Sequence, residues 1–283
     1  MLAISGQPEQ EEEAVRVKYH SLEEWFSRWD SALVAFSGGV DSSVLAYSAR
    51  KVLKDRALAV TSLSQTFAAS ELHSARVISR EIGIELVEVI QDDLASKDYV
   101  SNPVNRCYFC RSNLVQAIVP IVRERKISVC VDGTHVDDMS SPRPGVKALR
   151  EAGFKAPFVE LGFHKEDIRQ IARFLSLSNA ERPSEACLSS RIAYGQRIDL
   201  ETLRRIEQAE SLVRDLLNAE IVRVRTIGKK AVIELDLASV PKAQRSFREL
   251  EVELTALGYA SVEIDPNGYR SGRMLELFVR DNE

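Results

Sequence analysis

The stretch ALVAFSGGVDSS, residues 32–43, sets two glycines and three serines directly behind a short apolar run. The run ALVAF is too short for a helix and ends in Gly-Gly, so 33–36 reads as a buried strand. Residues 41–54 continue as a helix. The loop between them exposes backbone N–H groups that have no partner inside the helix, and the helix dipole adds positive potential there. Glycine lets a phosphate approach the backbone closely, and serine hydroxyls add donors. Ser37, Gly38, Gly39, Asp41, Ser42 and Ser43 are therefore candidate phosphate-binding residues. The loop lacks the Gly-Lys-Ser/Thr ending of a Walker loop and also lacks GxGxxG. Asp41, in the first helical turn, could hold magnesium, order the loop, or simply complement the dipole. The plain alternative for the whole loop is a glycine turn that packs a helix on a strand.

Outward from this junction the pattern repeats. Apolar runs at 58–61, 84–90 and 127–131 read as strands, and 69–82 and 108–125 as helices. A helix over 9–30, with Leu22, Trp25 and Phe26 as its stripe, precedes them. Alternating strands and helices predict an α/β fold, a parallel sheet with helices on both faces. Ligands of such sheets bind at the carboxyl ends of the strands, where Ser37 and Asp132-Gly133 both fall. From Asp199 the rhythm changes. Leu200, Leu203, Ile206, Leu212, Leu216 and Leu217 form an amphipathic helix. Strands at 221–227 and 231–235, a helix over 240–257, and strands near 260–264 and 274–279 complete a smaller α/β unit. The expected division is 1–196 and 197–283.

The net charge is −4, so the overall balance calls for neither nucleic acid nor an anionic membrane. No apolar run approaches the roughly 20 residues that span a bilayer. The start, MLAISGQPEQEEE, lacks the basic lead and apolar block of a signal peptide. The expectation is a cytoplasmic chain. A disulfide scaffold is then the less favoured use of Cys107, Cys110, Cys130 and Cys187. Cys107 and Cys110 form a CxxC, which alone is ambiguous among zinc, a redox dithiol and iron–sulfur. Cys130, inside ISVCV, reads as a core residue.

SGGVDSS resembles the pyrophosphate loop (PP-loop) of the N-type ATP pyrophosphatases, which split ATP between the α and β phosphates. That resemblance implies an adenine nucleotide alpha hydrolase-like domain that uses ATP and Mg2+. Gly133, Thr134 and Asp138 match a GTxxxD segment that closes on ATP in that superfamily; a turn with an Asx bond is the plain alternative. Taken with NRCYFC (105–110), PSEACLSSRIAYG (183–195) and VRVR (222–225), the chain resembles the LarE family along essentially its whole length. These are ATP-dependent sulfur insertases of nickel-pincer cofactor biosynthesis. The resemblance implies adenylation of the carboxylates of pyridinium-3,5-biscarboxylic acid mononucleotide, then attack by sulfur. Cys187 matches the sulfur-donating cysteine. Cys107 and Cys110 beside it match members that hold a 4Fe-4S cluster; passive thiols or a zinc half-site are the bland alternative.

Arg223 and Arg225, at i and i+2 of a strand, point one way and match the family's phosphate-holding arginines. Arg191 is a further phosphate or carboxylate candidate, and Arg106 a weaker one. Glu234 and Asp236 could meet a metal. The resemblance also implies partner enzymes of the nickel-pincer pathway and a homo-oligomer, with a hexamer as the candidate assembly. Two other classes compete. A transfer-RNA thiolase should carry a basic surface or RNA module. A carboxylate-adenylating amidotransferase or synthetase would not need Cys187 or the CxxC.

Overall fold

The computed structural model describes residues 7–140, 143–183, 186–270 and 273. Along the chain run α1 (Gln7–Ser27), β1 (Ala32–Ala35), α2 (Val40–Leu53), β2 (Ala57–Leu63), α3 (Ala69–Ile82), β3 (Glu85–Ile90), α4 (Lys97–Val100), α5 (Arg106–Glu124) and β4 (Val129–Val131). Then follow α6 (Pro144–Glu151), α7 (Pro157–Glu160), α8 (Lys165–Phe174), α9 (Leu200–Leu217), β5 (Val222–Ile227), β6 (Lys230–Leu235), α10 (Val240–Arg245), α11 (Phe247–Ala256) and β7 (Ser261–Ile264).

The chain forms two compact units. The first comprises Met1–Ser64, Ala69–Gln91 and Cys107–Glu185; the second comprises Gln65–Ala68, Asp92–Arg106 and Ala186–Glu283.

The first unit is a parallel sheet of order β3-β2-β1-β4. Strand side chains alternate between faces, and β1 shows why both faces are covered. Ala32, Val34 and Phe36 join a core with Leu22, Phe26, Leu45 and Ile171 from α1, α2 and α8. Leu33 joins the opposite core with Leu114, Ile118 and Leu149 from α5 and α6. The chain runs from β1 outward to β3 and then returns to β4 on the other side of β1. That reversal opens a crevice at the carboxyl ends of β1 and β4, where such sheets hold ligands.

In the second unit β5 and β6 pair antiparallel, and β7 joins β6 in parallel. Val222, Val224, Ile233 and Leu235 face a core shared with Leu217, Leu250 and Leu254. Arg223 and Glu234, which oppose each other across the pair, therefore share the other face. The single helix expected over 240–257 is two helices. Ser246, at φ −94° and ψ 13°, ends α10 and begins α11. The strand expected at 274–279 lies outside the described residues. Among those described, no helix is long and apolar enough to cross a membrane.

Candidate active site

The loop after β1 is braced from within. The Ser37 backbone N–H donates to Ser42 Oγ at 3.2 Å, and Ser42 Oγ donates to the Gly39 carbonyl at 3.0 Å. Ser43 Oγ donates to the same carbonyl at 2.9 Å. Gly38 turns the chain at φ 74°, and a Cβ there would lie 2.8 Å from the backbone of Ala75 on α3. Only glycine meets both demands. Ser37 is exposed, whereas Ser42 and Ser43 are buried. The two buried hydroxyls thus shape the loop, and Ser37 lies at its open side.

Two residues that the sequence did not single out complete the loop. Asn179 is buried and donates from Nδ2 to the Gly38 carbonyl at 2.8 Å and to Ser43 Oγ at 2.9 Å. Lys165, the first residue of α8, places Nζ 2.5 and 2.6 Å from the two carboxylate oxygens of Asp41. A cation therefore stands at the first turn of α2, where a bound phosphate would arrive.

The segment after β4 packs against this loop. A Cβ on Gly133 would come 2.9 Å from Asp41 Cβ, so glycine permits the approach. Asp132 Oδ1 accepts the Thr134 amide at 2.9 Å and also the Thr134 hydroxyl, forming an Asx turn. Its Oδ2 takes Arg150 Nη1 at 2.7 Å. Asp138 accepts the His135 amide at 3.2 Å and pairs with Arg143 at 2.7 Å. Asp137 bonds His164 Nδ1 and the Lys165 amide, each at 2.7 Å, and these hold its carboxyl below the usual range. Ser37, Gly38, Gly39, Asp41, Ser42, Ser43, Gly133 and Thr134 thus sit together, with Asp138 a short turn away. Among the described residues no group of three or more His, Cys, Asp or Glu is arranged to hold a metal ion. The site fits Mg2+ in its usual nucleotide-linked form, with one carboxylate, Asp41, and the rest from phosphate oxygens and water.

Cys187 lies in the second unit, at the start of a short turn over Leu188–Arg191. The Leu188 amide donates to the Thr66 carbonyl at 2.8 Å, and Tyr99 Oη meets Ser189 Oγ at 2.7 Å. Arg191 is 3% exposed. Its Nη1 donates to the carbonyls of Ala186 and Cys187, the latter at 3.0 Å, and its Nε and Nη2 pair with Glu210 at 2.8 and 3.1 Å. Glu210 also accepts the Val224 amide at 3.0 Å. Arg191 thus braces the cysteine turn. Arg106, expected as a weaker ligand, bonds Asn102 Oδ1 at 3.0 Å and stacks over Tyr194.

Arg225 pairs with Glu234 at 2.8 Å and donates to the Ser190 carbonyl at 3.1 Å, inside the cysteine turn. Arg223 and Arg225 both lie over the Tyr269 ring, at 5.6 and 6.0 Å. Arg273 lies 3.2 Å from Glu234 and pairs with Asp265. Three arginines and two carboxylates leave this buried group one positive charge in excess, which suits an anion. Asp236 is occupied otherwise: it accepts the Ser239 amide at 2.9 Å and closes the turn after β6.

Cys107 and Cys110 belong to the first unit and both lie at the start of α5, so Cys107 joins Cys110 on the helix. At i and i+3 they share a helix face. Cys107 is exposed and Cys110 half-buried. Gly145 lies beside Cys107, where an added Cβ would make an ordinary contact with Cys107 Cβ at 3.5 Å. The shared face and the exposure of Cys107 fit a pair that binds metal. Cys130 contrasts with them, since burial pushes its thiol up to about 11.

A glycine-shaped phosphate loop at the switch point of a parallel sheet defines a nucleotide-using enzyme of the PP-loop class. A family model described as asparagine synthase matches residues 31–105. An uncharacterized protein of Synechocystis sp. is 36% identical over 265 residues, covering 93% of this chain and 98% of its own length. Pyridinium-3,5-bisthiocarboxylic acid mononucleotide synthase of Lactiplantibacillus plantarum is 31% identical over 248 residues, covering 87% of this chain and 90% of that protein. A glutamine-hydrolyzing GMP synthase of Archaeoglobus fulgidus contributes a more distant match, 26% identical over 156 residues, 52% of this chain and 51% of that polypeptide. The chain belongs to the LarE family, that of the Lactiplantibacillus plantarum synthase. In general terms it is an ATP-using enzyme of sulfur transfer.

Proposed function

We propose that this chain adenylates the carboxylates of pyridinium-3,5-biscarboxylic acid mononucleotide and replaces oxygen with sulfur, giving thiocarboxylates for a nickel-pincer cofactor. The observation that carries this reading lies in the second unit. Cys187 opens a turn whose carbonyls are held by Arg191 and Arg225, and Arg225 shares its strand face with Arg223. A sulfur nucleophile and an anion-holding group are thus built into one small framework. The relative that makes pyridinium-3,5-bisthiocarboxylic acid mononucleotide supports the substrate.

The steps balance. A substrate carboxylate oxygen attacks the α-phosphorus of ATP, the bond to the bridging oxygen breaks, and pyrophosphate leaves. Sulfur then attacks the acyl carbon and the bond to AMP oxygen breaks, leaving the thiocarboxylate. Adenylation is needed because oxide is a poor leaving group. Ser37, Gly38 and Gly39 cradle the departing pyrophosphate, and Lys165 offsets its charge as it develops. Asp41 exchanges its lysine partner for the magnesium that accompanies ATP. Arg223 and Arg225 hold the substrate phosphate. Cys107, Cys110 and Cys187 are the residues that would hold a 4Fe-4S cluster, which would supply a sulfide for transfer.

The test uses full-length protein purified without oxygen, given ATP, Mg2+, inorganic sulfide as the sulfur source and the biscarboxylic mononucleotide. Wild type is expected to carry about four irons per chain and to form AMP, pyrophosphate and thiocarboxylate over many turnovers. Cys187→Ser should still release pyrophosphate and make no thiocarboxylate. Iron-free protein that loses one sulfur from Cys187 would replace the cluster with a sacrificial donor. Pyrophosphate release that does not depend on the mononucleotide, with no sulfur moved, would overturn the proposal.

A further inference from the structure

The two cysteines of the CxxC have different neighbours. Cys107 faces solvent. Cys110 faces Gln91, a polar residue that is 3% exposed. Gln91 directly follows β3, and its amide donates to the Leu63 carbonyl at 3.1 Å, which fixes its backbone to the end of β2. Its side chain then reaches α5. Nε2 lies 3.0 Å from the carbonyl oxygen of Cys110 and 3.4 Å from its Sγ. A carboxamide nitrogen carries two hydrogens, so both contacts can form at once. A bond to the carbonyl alone would satisfy one hydrogen and let the sulfur rotate. The second contact ties the sulfur to the same buried group, so one rotamer of Cys110 is favoured.

We infer that Gln91 is a positioning residue for Cys110, holding its sulfur in a fixed direction and donating a hydrogen bond to it. The inference rests on the reading that the cysteine pair binds iron. Metal ligands depend on outer hydrogen-bond partners for their aim, and hydrogen bonds to sulfur tune the potential of an iron–sulfur group. Glutamine carries no charge, so this donor is equally present at every working pH. It therefore steadies the thiolate without adding a cation that an anionic substrate could take.

The experiment compares wild type with Gln91→Leu and Gln91→Glu, each as the full chain purified without oxygen. Leucine keeps the bulk and loses both donors. Glutamate keeps the shape and turns an acceptor toward the sulfur, so it keeps the test alive if the leucine variant fails to fold. Both variants should release iron to a chelator roughly 10-fold faster or more, and their midpoint potentials should lie below that of wild type. In iron-free protein, iodoacetamide labelling read by peptide mass spectrometry should show the ratio of Cys110 to Cys107 labelling changed by about threefold or more, consistent with one lost hydrogen bond. Cys130 should stay unlabelled in each, which reports an intact core. Unchanged iron release, potential and labelling ratio in both variants would overturn the inference. If wild type binds no iron, the cluster reading fails and the labelling ratio decides alone: a changed ratio upholds Gln91 as the positioning residue, and an unchanged ratio refutes it.

Discussion

Arg191 gives the sharpest test, because its position in the sequence and its partners in the fold point to different roles. As a ligand it would hold substrate; as a brace it holds the turn that carries Cys187. Arg191→Met keeps the length of the stem and removes the guanidinium. Glu210 then remains buried, with the Val224 amide still donating to it at 3.0 Å. Breaking a buried pair from one side costs about 3–5 kcal/mol, because a charge is left uncompensated. Bonds to the Ala186 and Cys187 carbonyls vanish as well. Both tryptophans, Trp25 and Trp29, lie in the first unit, so their fluorescence would miss the change. Amide hydrogen exchange is the suitable assay. Protection of peptides covering β5 and β6 should fall by roughly 10²- to 10⁴-fold. Peptides covering β1 and β2 should be unaffected, as should ATP binding. Arg191→Met with Glu210→Leu should recover most of the loss, since an apolar pair of similar size replaces a buried ion pair at little cost. Unaltered exchange together with a raised KM for the mononucleotide would refute the reasoning and make Arg191 a substrate ligand.

Gly38→Ala should abolish measurable ATP binding. The left-handed backbone costs an alanine about 1–2 kcal/mol, and its Cβ at 2.8 Å from the Ala75 backbone must push the loop away from α3; isothermal titration with ATP reads the loss. Lys165→Met should lower ATP-dependent pyrophosphate release by roughly 100-fold, the usual effect of losing one charge-stabilising group. Its thermal midpoint should barely move, because the Asp41 pair is partly solvated; full activity in this variant would remove Lys165 from the site. Burial raises the Cys130 thiol from 9.0 to about 11. Above pH 9 the unfolded chain loses a proton that the folded chain keeps, so stability should fall as pH rises from 9 to 11. Urea titrations across that range should show a steeper slope in wild type than in Cys130→Ala, where the buried tyrosines Tyr19 and Tyr259 still contribute.

The strand, the glycine loop and the helix were legible because each signal is local. An apolar run, two glycines and a helical period need only a short window of chain. The carboxyl-edge placement of Asp132-Gly133 was legible from the alternation of elements. Lys165 and Asn179 were not, since they meet the loop from 124 and 141 residues away and no local pattern marks either. The pairing of Arg191 was not legible either, because its partner Glu210 lies 19 residues on, within the buried face of α9 among Ile206 and Val213. Near the CxxC, helix α5 begins at Arg106, two residues ahead of the expected start, which brings Cys107 onto the helix with Cys110. The break at Ser246 escaped notice because the flanking residues keep a helical period through it.

The second unit draws on three separate pieces of chain, and the two early ones serve the last. Thr66, Tyr99 and Asn102 bond residues between 188 and 196. During synthesis these anchors emerge well before the turn they secure. The turn around Cys187 can therefore mature only late, after most of the parallel sheet has left the ribosome. A fragment cut to begin near residue 197 would lack those anchors and the cysteine as well. The Cys187 turn is not a cassette that could be grafted onto another nucleotide-binding sheet. Moving it would require the two short segments at 65–68 and 92–106 along with it.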